Sequence, residues 1–593
     1  MRQFFITLLA VIVGVFVALF LMFMFFAVLI GSAVNSLNPP NGNGEGSGAT
    51  VLTMDLRSGM RDHGGDKSLF GDSSASVVTS VRALDRAKED DNVKGLFIRA
   101  NSWGMSPAQA EELHMAIDDF QESGKFVIAH AQGFEGTSLS SYFAVSGADE
   151  IWLQDTTGFA LSGYRAEIEF LGGVFEKLDA EPEIIQFHEY KNAANTYKEK
   201  SLTEPHREAM TTLLQSILDT AVSTIAEDRG ITEQALLQFL DNAPHSAEKA
   251  EELGFIHKLG HVVDAKDYAK NKAGKNAKFK SVSDYGVGYT DGPVIAFVGG
   301  QGAVVEGNSS DGSNPFVGGN LTMGGDTVSE ALIKASKDDK VKAIVFRVNS
   351  PGGSATASDQ IWDAVDRAKE AGKPVVISMG QYAASGGYYV AANADKIVAL
   401  PTTVTGSIGV LGGKFYIKDT LAKIGYNAEA INLGGEYGAA YSAIEPWNQA
   451  NREAYRQSME NIYVDFTTRV SEGRDIPIDR VKEIAKGRVW TGEQAKEIGL
   501  IDEFGGFSKA VEVAKQLADI DSETKVRIKM FPREKTPHEQ LVEMFNVTAQ
   551  SAASLQKLGE LAQTPEFQAM IKARDAMEQA EKAHLKAVLP EIK

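Results

Sequence analysis

The stretch VKAIVFRVNS at residues 341–350 has a near copy, VKGLFIRANS, at residues 93–102 of the same chain. Five of the ten positions are identical and the others are similar. Three further pairs of segments recur in the same order: GADEIWL (147–153) with NADKIVA (393–399), REA (207–209) with REA (452–454), and AEELGFI (250–256) with AKEIGLI (495–501). The offsets are 248, 246, 245 and 245 residues, so the chain contains one domain twice.

Each copy alternates apolar runs of strand length with runs of helical spacing. The predicted strand, helix and strand are VLTMDL (51–56), SVVTSVRALDRAKED (76–90) and VKGLFIRANS (93–102) in the first copy, and PVIAFVG (293–299), TVSEALIKASKDD (327–339) and VKAIVFRVNS (341–350) in the second. A long helical run follows in each copy, near 204–228 and near 447–472. Strands that alternate with helices form βαβ units, so the pattern predicts an α/β fold with mainly parallel sheets.

Ser385 lies in the stretch GQYAASGG, between an apolar run that reads as a strand (371–378) and residues that read as helical and then extended (388–400). The serine would therefore occupy a strand-to-helix turn. A helix start offers unpaired N–H groups, and the two following glycines let a substrate backbone come close. This setting suits a nucleophile, although an ordinary Ser-Gly-Gly turn has the same sequence.

The two copies have lost complementary residues. At an offset of 246, Ser385 of the second copy faces Leu139 of the first, and at an offset of 248 the stretch SPGGS (350–354) faces SWGMS (102–106). At an offset of 245, Lys191 of the first copy faces Glu436 of the second. One copy therefore keeps the serine and the other keeps the lysine, which predicts a single active site divided between the copies.

A serine hydroxyl needs a base to become an effective nucleophile, and histidine is the usual one. No histidine occurs between His261 and His538, so the second copy cannot complete a Ser-His pair alone. A Ser385–Lys191 dyad across the copies is the economical solution, provided that burial lowers the pKa of the lysine. His188, three residues before the lysine, is the rival base, and an ordinary solvated Lys191 is the alternative reading.

Two glycines are candidates for an oxyanion hole. SPGGS and ASGG each follow a predicted strand, and the carboxyl ends of parallel strands form one edge of the sheet. The N–H groups of Gly353 and Gly386 could converge there on a developing oxyanion. A plain PGG turn is the alternative interpretation of the first of these stretches.

Composition narrows the classes of function. The chain has 593 residues, no cysteine and a formal net charge of -20. The absence of cysteine excludes disulfides, thiolate metal sites and a cysteine nucleophile, and the acidic balance disfavours nucleic acid as a partner. No HExxH, GxxxxGK[ST] or strand-linked GxGxxG pattern occurs, so the sequence predicts neither a metal nor a cofactor.

The N-terminus predicts a membrane anchor. Phe4 to Ile30 carries no charge, and as a helix it would extend for about 40 Å, enough to cross a bilayer. The run exceeds the roughly 7–15 apolar residues of a secretory signal peptide, although a cleaved signal is the alternative. Arg2 before the run favours a cytoplasmic N-terminus. The following residues, rich in Gly, Asn and Ser, read as a flexible linker.

Four stretches together resemble the long, duplicated form of the signal peptide peptidase A family, also called protease IV: SPGGS (350–354), MGQYAASGGYYVAANADKIVA (379–399), PTTVTGSIGV (401–410) and GRVWTGEQAKEIGLID (487–502). The resemblance covers nearly the whole chain. It implies a tandem repeat of two Clp-protease/crotonase-like domains after a transmembrane helix. It also implies Ser385 as nucleophile, Lys191 as general base and Gly353 in the oxyanion loop. One departure is that EYKNAA lacks the compact YKSA-like pattern expected around the base.

The same resemblance implies a membrane-anchored serine endopeptidase that degrades cleaved signal peptides and other apolar peptides. The expected partners are apolar peptides, membrane lipid through the N-terminal helix, and three further copies in a bowl-shaped homotetramer. The expected location is the bacterial inner membrane, with the catalytic part on the periplasmic side. A crotonase-like acyl-CoA enzyme and a non-catalytic membrane scaffold are the alternatives.

These observations predict six segments. They are a transmembrane anchor (1–30), a linker (31–50), a first repeat domain that supplies the lysine (51–265), a second linker (266–292), a second repeat domain that supplies the serine (293–530), and a C-terminal helical extension (531–593).

Overall fold

The computed structural model describes residues 48–64, 76–100, 104–274, 276–286, 288–312 and 320–533. The predicted anchor, nearly all of the first predicted linker and the predicted extension beyond residue 533 lie outside these ranges. Within the described ranges, no helix is both long and apolar enough to cross a membrane. The described residues from Ala49 onward form one compact unit.

The described part of the chain alternates strands and helices throughout. The strands are β1 (Thr50–Asp55), β2 (Val93–Arg99), β3 (Phe126–Ala131), β4 (Phe134–Ser138), β5 (Glu150–Leu153), β6 (Gly158–Ser162), β7 (Glu181–Phe187), β8 (His245–Ser246), β9 (Lys258–Leu259), β10 (Lys278–Ser281), β11 (Val294–Gln301), β12 (Ala303–Val305), β13 (Ser310–Asp311), β14 (Leu321–Gly324), β15 (Val341–Ser350), β16 (Val375–Ala384), β17 (Lys396–Ala399), β18 (Val404–Gly406), β19 (Val410–Tyr416), β20 (Val489–Thr491), β21 (Glu503–Phe504) and β22 (Arg527–Phe531).

The helices are α1 (Val77–Ala87), α2 (Pro107–Glu122), α3 (Leu139–Phe143), α4 (Gly172–Leu178), α5 (Asn195–Lys198), α6 (Glu204–Arg229), α7 (Glu233–Asp241), α8 (Ala247–Glu252), α9 (Val262–Ala273), α10 (Val282–Tyr285), α11 (Gly325–Ser336), α12 (Ala355–Glu370), α13 (Gly386–Tyr389), α14 (Lys418–Lys423), α15 (Gln449–Arg474), α16 (Ile478–Ile484), α17 (Gly492–Glu497) and α18 (Phe507–Leu517). Two short 3-10 turns cover Asn192–Ala194 and Glu436–Tyr441.

Two main sheets have the same strand order. The first runs β10-β1-β2-β3-β5-β9 and is parallel throughout. The second runs β22-β11-β15-β16-β17-β21 in the same sense, and β18 and β20 extend it from the carboxyl half of β16. The central strands are apolar along almost their whole length because helices cover both faces of a parallel sheet. The α/β prediction and the duplication are therefore confirmed.

The segment 266–292, which composition assigned to a linker, carries regular structure. Its residues Lys278–Ser281 form β10, which closes the edge of the first sheet beside β1. The strand β22 holds the equivalent edge of the second sheet beside β11. Lysines alternate along β10 because charged side chains protect an exposed sheet edge, and this gives the strand the composition of a linker.

The two repeats share a core and a buried ion cluster. Residues of the second sheet and of α18, such as Phe297 and Phe507, belong to the main core cluster of the first repeat. At the junction, the guanidinium of Arg347 on β15 bridges Asp62 and Glu112 of the first repeat, with an N–O distance of 2.6 Å to each carboxylate. All three charged side chains are buried, so the cluster fixes one repeat against the other.

A small two-stranded sheet also joins the repeats. Strand β7 of the first repeat pairs antiparallel with β19 of the second, with Phe187 opposite Val410 and Glu181 opposite Tyr416. Lys191 follows the end of β7 by four residues, and Ser407 precedes the start of β19 by three. The pairing therefore carries the lysine loop of the first repeat to the sheet edge of the second repeat.

Candidate active site

Ser385 lies in a strained turn between β16 and α13, at the position predicted from sequence. Its backbone has φ 53° and ψ -120°, which an L residue adopts only under constraint from its surroundings. Its N–H donates to the carbonyl of Gly406 at 2.8 Å, and its carbonyl accepts from the N–H groups of Tyr388 and Tyr389. These bonds hold the serine at the carboxyl end of the strand.

The loop that carries Lys191 belongs to the first repeat and packs against Gly487 of the second repeat. Its N–H donates to the carbonyl of His188, and the neighbouring N–H of Tyr190 donates to the carbonyl of Lys486. Gly487 follows that lysine with φ +86°, and a Cβ on Gly487 would lie 2.6 Å from the backbone nitrogen of Lys191. Only glycine lets the two backbones approach this closely.

The structure brings Lys191 and Ser385 together. The Nζ atom of Lys191 lies 3.0 Å from Ser385 Oγ, 2.8 Å from the carbonyl oxygen of Ser407 and 3.0 Å from Ser407 Oγ. The lysine side chain is buried, with 5% of the residue exposed. No carboxylate is hydrogen-bonded to its amine among the described residues, so only neutral oxygens surround it.

Burial lowers the pKa of Lys191 from the usual lysine range to about 7. Removing water penalises the ammonium form, and no buried counter-charge offsets that penalty. A substantial fraction of the amine is therefore neutral near neutral pH and can accept a proton. A lysine in water at that pH is almost fully charged.

The rival base His188 and the nearby Lys198 do not contact Ser385. His188 is exposed, and its ring packs edge-to-face on Tyr463 with a centroid distance of 5.0 Å. Lys198 donates to the side chain of Gln186 at 3.2 Å and is likewise exposed. Among the described contacts, Lys191 is the basic side chain hydrogen-bonded to the serine.

The two predicted oxyanion donors lie side by side. The position that a Cβ on Gly386 would occupy is 3.1 Å from the backbone nitrogen of Gly353. Gly353 pairs with Val304 in an isolated parallel bridge, and with φ +156° it leaves no room for a side chain against the Val304 carbonyl. Neither Gly353 nor Gly386 donates its N–H to another described residue, so both donors remain open to a ligand.

Ser407 is a site residue that sequence reasoning left without a role. It lies in the stretch PTTVTGSIGV, whose resemblance was noted as a whole. Its backbone has φ 51°, and its N–H donates to the carbonyl of Arg488 at 2.7 Å. Its hydroxyl faces the carbonyl of Gly487 at 3.4 Å and also contacts the amine of Lys191. The only local signal was a polar residue directly after a glycine, which is also typical of an ordinary turn.

In the first repeat, the positions that align with Ser385 and Ser354 are occupied by residues with structural roles. Leu139, which faces Ser385 in the repeat alignment, begins α3 and is buried in the core. Ser106, which faces Ser354, is the N-cap of α2, and its hydroxyl accepts from the N–H of Gln109 at 3.2 Å. These roles are structural.

One group of described residues has side chains of the metal-ligating type. The ring nitrogens of His114 contact Asp118 at 3.3 Å and Asp228 at 2.7 Å. Each ring nitrogen already faces one carboxylate, and Ser146 donates to Asp228 as well. The group is therefore complete as an ion-pair network between α2 and α6.

Comparison with known proteins places this site in a family. The sequence profile of peptidase family S49 matches residues 119–276 and 367–521, one match in each repeat. The chain belongs to this family. The profile of Clp protease also matches residues 320–405, which include the SPGGS loop and the Ser385 turn.

Several S49 relatives match over most of their length. Serine protease SPPA, chloroplastic, of Arabidopsis thaliana is 31% identical over 82% of this chain and 72% of its own. Protease 4 of Haemophilus influenzae is 31% identical over 76% of this chain and 74% of its own. Protease 4 of Salmonella typhi is 29% identical over 84% of this chain and 83% of its own. This S49 member is a serine protease, and the acyl-CoA enzyme and the non-catalytic scaffold find no support.

Proposed function

We propose that this S49 protease is an endopeptidase with a Ser385–Lys191 dyad that is completed across its two repeats. The observation that carries the proposal is the 3.0 Å distance between Lys191 Nζ and Ser385 Oγ in a buried setting. A nucleophile within hydrogen-bonding distance of a base is the arrangement that covalent catalysis requires. The low pKa of Lys191 supports the base role, because the neutral amine has a lone pair available for the serine proton.

The hydrogen-bond partners of Lys191 favour the neutral amine and direct its lone pair towards Ser385. A neutral amine has two N–H donors and one lone pair. The two oxygens of Ser407, at 2.8 and 3.0 Å, accept the two N–H groups. The lone pair is then left for the hydroxyl hydrogen of Ser385. Ser407 therefore acts through the lysine as a positioning residue.

Peptide cleavage follows from this geometry in two stages. Ser385 Oγ attacks the peptide carbonyl carbon while its proton passes to Lys191 Nζ. The carbonyl oxygen becomes negative, and the N–H groups of Gly353 and Gly386 donate to it. Lys191 then gives the proton to the leaving amine, and the C–N bond breaks to leave an acyl ester on Ser385. Water then attacks the ester while its proton passes to Lys191. The C–O bond to Ser385 breaks, Lys191 returns the proton to Ser385 Oγ, and the acid product leaves.

The substrate class and the setting complete the proposal. The resemblance of four sequence stretches to signal peptide peptidase A supports cleavage of apolar peptides, including signal-peptide remnants. The names of the S49 relatives support a protease. The uncharged run from Phe4 to Ile30 supports a single membrane anchor that holds the catalytic repeats on the periplasmic side of a bacterial inner membrane.

The dyad is tested by turnover of a fluorogenic apolar peptide by the full-length chain. Ser385→Ala and Lys191→Ala should both abolish turnover, while His188→Ala and Lys198→Ala should keep it near the wild-type rate. Circular dichroism checks that each variant is folded. Full activity of folded Lys191→Ala would overturn the dyad, and loss of activity in His188→Ala alone would move the base role to the histidine.

The anchor is tested separately by fractionation of cells that express the chain with and without residues 1–30. The full-length chain should stay with membranes after an alkaline wash and should be degraded by protease added to the outside of spheroplasts. Release of the full-length chain by the wash would contradict the anchor. Protection from the protease would contradict the orientation without affecting the dyad.

A further inference from the structure

A buried carboxylate of the first repeat reaches into the second repeat close to the dyad. Glu111 lies on α2 with 6% of the residue exposed. Its Oε2 atom accepts from the N–H of Thr402 at 3.0 Å and from the Thr402 hydroxyl at 2.5 Å. Among the described contacts, no basic side chain is hydrogen-bonded to Glu111. Burying a carboxylate without a cation costs free energy, so the contact with Thr402 calls for a role beyond packing.

Thr402 is the first residue of a short segment that runs beside the end of β16. We call residues 402–407 the support segment. The hydroxyl of Thr403 donates to the carbonyl of Gly380 at 2.9 Å, and the hydroxyl of Thr405 donates to the carbonyl of Ala383 at 2.7 Å. Both threonines are buried. These side-chain bonds tie the support segment to the strand that ends at the nucleophile.

The far end of the support segment holds both members of the dyad. The carbonyl of Gly406 accepts from the N–H of Ser385 at 2.8 Å. The carbonyl and hydroxyl oxygens of Ser407 lie 2.8 and 3.0 Å from the amine of Lys191. A shift of the support segment would therefore move the serine and the lysine together with it, and Glu111 fixes its first residue.

The helix that corresponds to α2 in the second repeat has no such contact. Helices α2 and α12 both have 16 residues, and Asp359 of α12 aligns with Glu111 at an offset of 248. Asp359 accepts from the hydroxyl of Tyr389 at 2.8 Å and pairs with Arg469, both in its own repeat, and its side chain is 50% exposed. Only the first repeat therefore directs this carboxylate across the junction, as it also does with Lys191.

We propose that Glu111 is a positioning residue for the catalytic dyad. Its carboxylate fixes Thr402 and, through the support segment, the relative placement of Ser385 and Lys191. The inference rests on the proposed dyad and adds a third group to it from the first repeat. No described hydrogen bond joins Glu111 to the serine or the lysine, so it acts through Thr402. A charged acceptor makes stronger hydrogen bonds than a neutral one, so the ionised carboxylate holds the segment most firmly.

The surroundings of Glu111 determine when it carries its charge. Burial raises its pKa to about 7, against the opposing effect of the two hydrogen bonds from Thr402. The titratable groups that face it are Glu112 and His114 on the same helix and Tyr164 from the segment before α4. Glu112 belongs to the ion cluster at the repeat junction, His114 lies between two carboxylates, and burial raises the pKa of Tyr164. Glu111 therefore ionises near neutral pH.

Steady-state kinetics of the full-length chain with the fluorogenic apolar peptide tests the role. Glu111→Gln keeps the shape of the side chain and removes its charge. It should lower kcat roughly 10–100-fold with KM nearly unchanged, because a displaced base misaligns the attack without altering contacts to the peptide. Urea unfolding of each variant shows that the assayed protein is folded.

Variants of Thr402 test the other side of the contact. Thr402→Val removes the hydroxyl and should lower kcat roughly 3–10-fold, whereas Thr402→Ser keeps the hydroxyl and should stay close to the wild-type kcat. Thr467→Val is the matched control. It removes a buried threonine hydroxyl that donates to the carbonyl of Tyr463 at 2.9 Å on α15, so it should lower stability and leave kcat of the folded protein unchanged.

The pH profile separates positioning from a purely structural role. In the wild type, Glu111 and Lys191 both lose a proton near pH 7 on the way to the active form. The logarithm of kcat/KM should therefore rise more steeply with pH than loss of one proton allows. In Glu111→Gln only the lysine titrates, so the rise should follow a single proton. A loss of stability alone would leave the slope unchanged.

The outcomes distinguish this inference from the dyad itself. Wild-type kcat in folded Glu111→Gln, or equal slopes in that variant and the wild type, would overturn the positioning role while Ser385→Ala and Lys191→Ala remain inactive. Turnover by Ser385→Ala would overturn the proposed function and this inference with it. If Glu111→Gln does not fold, the two Thr402 variants decide, and equal kcat in Thr402→Val and Thr402→Ser would overturn the role.

Discussion

The amine of Lys191 lies at least as close to Ser407 as to Ser385, with 2.8 Å to the Ser407 carbonyl oxygen and 3.0 Å to each serine hydroxyl. The lysine is therefore held by one serine while it faces the other. In the proposed dyad this contact would keep the lone pair of Lys191 aimed at Ser385, which is the role that a third residue plays in many serine hydrolases.

Ser407→Ala should lower kcat roughly 3–10-fold and leave KM nearly unchanged, because one neutral hydrogen bond to the base is lost. The pKa read from the rate profile should also fall, since the lost hydroxyl accepts from the ammonium form. Steady-state kinetics across pH measures both effects. Ser329→Ala, which removes a hydroxyl bonded to a backbone carbonyl outside the site, is the control. An unchanged kcat in Ser407→Ala would remove its positioning role.

The pH dependence of kcat/KM should follow the loss of a proton from the Lys191 amine. Its pKa of about 7 makes the neutral, base-competent amine dominant only above that pH. The value of kcat/KM should therefore rise with pH and level off above about pH 8. Initial rates in matched buffers of constant ionic strength measure this. A profile that keeps rising to about pH 10 would indicate an ordinary solvated lysine.

Lys191→Met should remove activity and yet stabilise the fold. The native lysine releases its proton near pH 7, while the unfolded lysine keeps it up to about 10.5. Between these values the unfolded chain binds more protons, so wild-type stability rises with pH and the burial penalty is full only below pH 7. The gain in unfolding midpoint for the methionine variant should thus be largest at about pH 6 and shrink by about pH 10. A gain of the same size at both pH values would contradict this account.

Gly353→Ala should reduce kcat by a factor on the order of 10²–10³ with little change in KM, because the Cβ would lie 2.1 Å from the Val304 carbonyl oxygen and displace the N–H donor. Kinetics with the fluorogenic peptide measures the loss. Gly372→Ala separates this effect from backbone strain, since Gly372 also has positive φ, at +75°, but faces open space. Equal losses in the two variants would argue against an oxyanion role.

Comparison of the repeats predicted much of the arrangement of the site. When two copies of one domain have diverged, their alignment shows which residues each copy has lost and the other has kept. The replacement of Ser385 by Leu139 and of Lys191 by Glu436 indicated a divided site before any distance was known. Parallel order followed from the alternation of strands and helices. The contact between Ser407 and Lys191 could not be predicted, because it depends on a strand pairing between repeats that local sequence does not encode.

Other features were hidden for physical reasons. The edge strand Lys278–Ser281 has the composition of a linker because exposed edges favour charge. The ion cluster at the repeat junction was also hidden, because Arg347 lies inside an otherwise apolar strand and its carboxylate partners Asp62 and Glu112 are hundreds of residues away. Ion pairs between residues so far apart in the chain produce no periodic pattern in a single sequence.

That cluster gives the last prediction. Arg347→Met should destabilise the fold by about 3–5 kcal/mol, because it removes the guanidinium that pairs with both buried carboxylates and leaves Asp62 only its contact with the His63 ring, at 2.7 Å. The triple variant Arg347→Met/Asp62→Asn/Glu112→Gln should recover most of the loss, since no charge is then stranded. Urea unfolding followed by fluorescence measures both. Arg367→Met is the control. The ion pair between Arg367 and Asp363 has the same 2.6 Å distance but is solvent-exposed, so the urea midpoint of this variant should be close to that of the wild type. If Arg347→Met were as mild as this control, the buried cluster would not be what holds Lys191 of one repeat against Ser385 of the other.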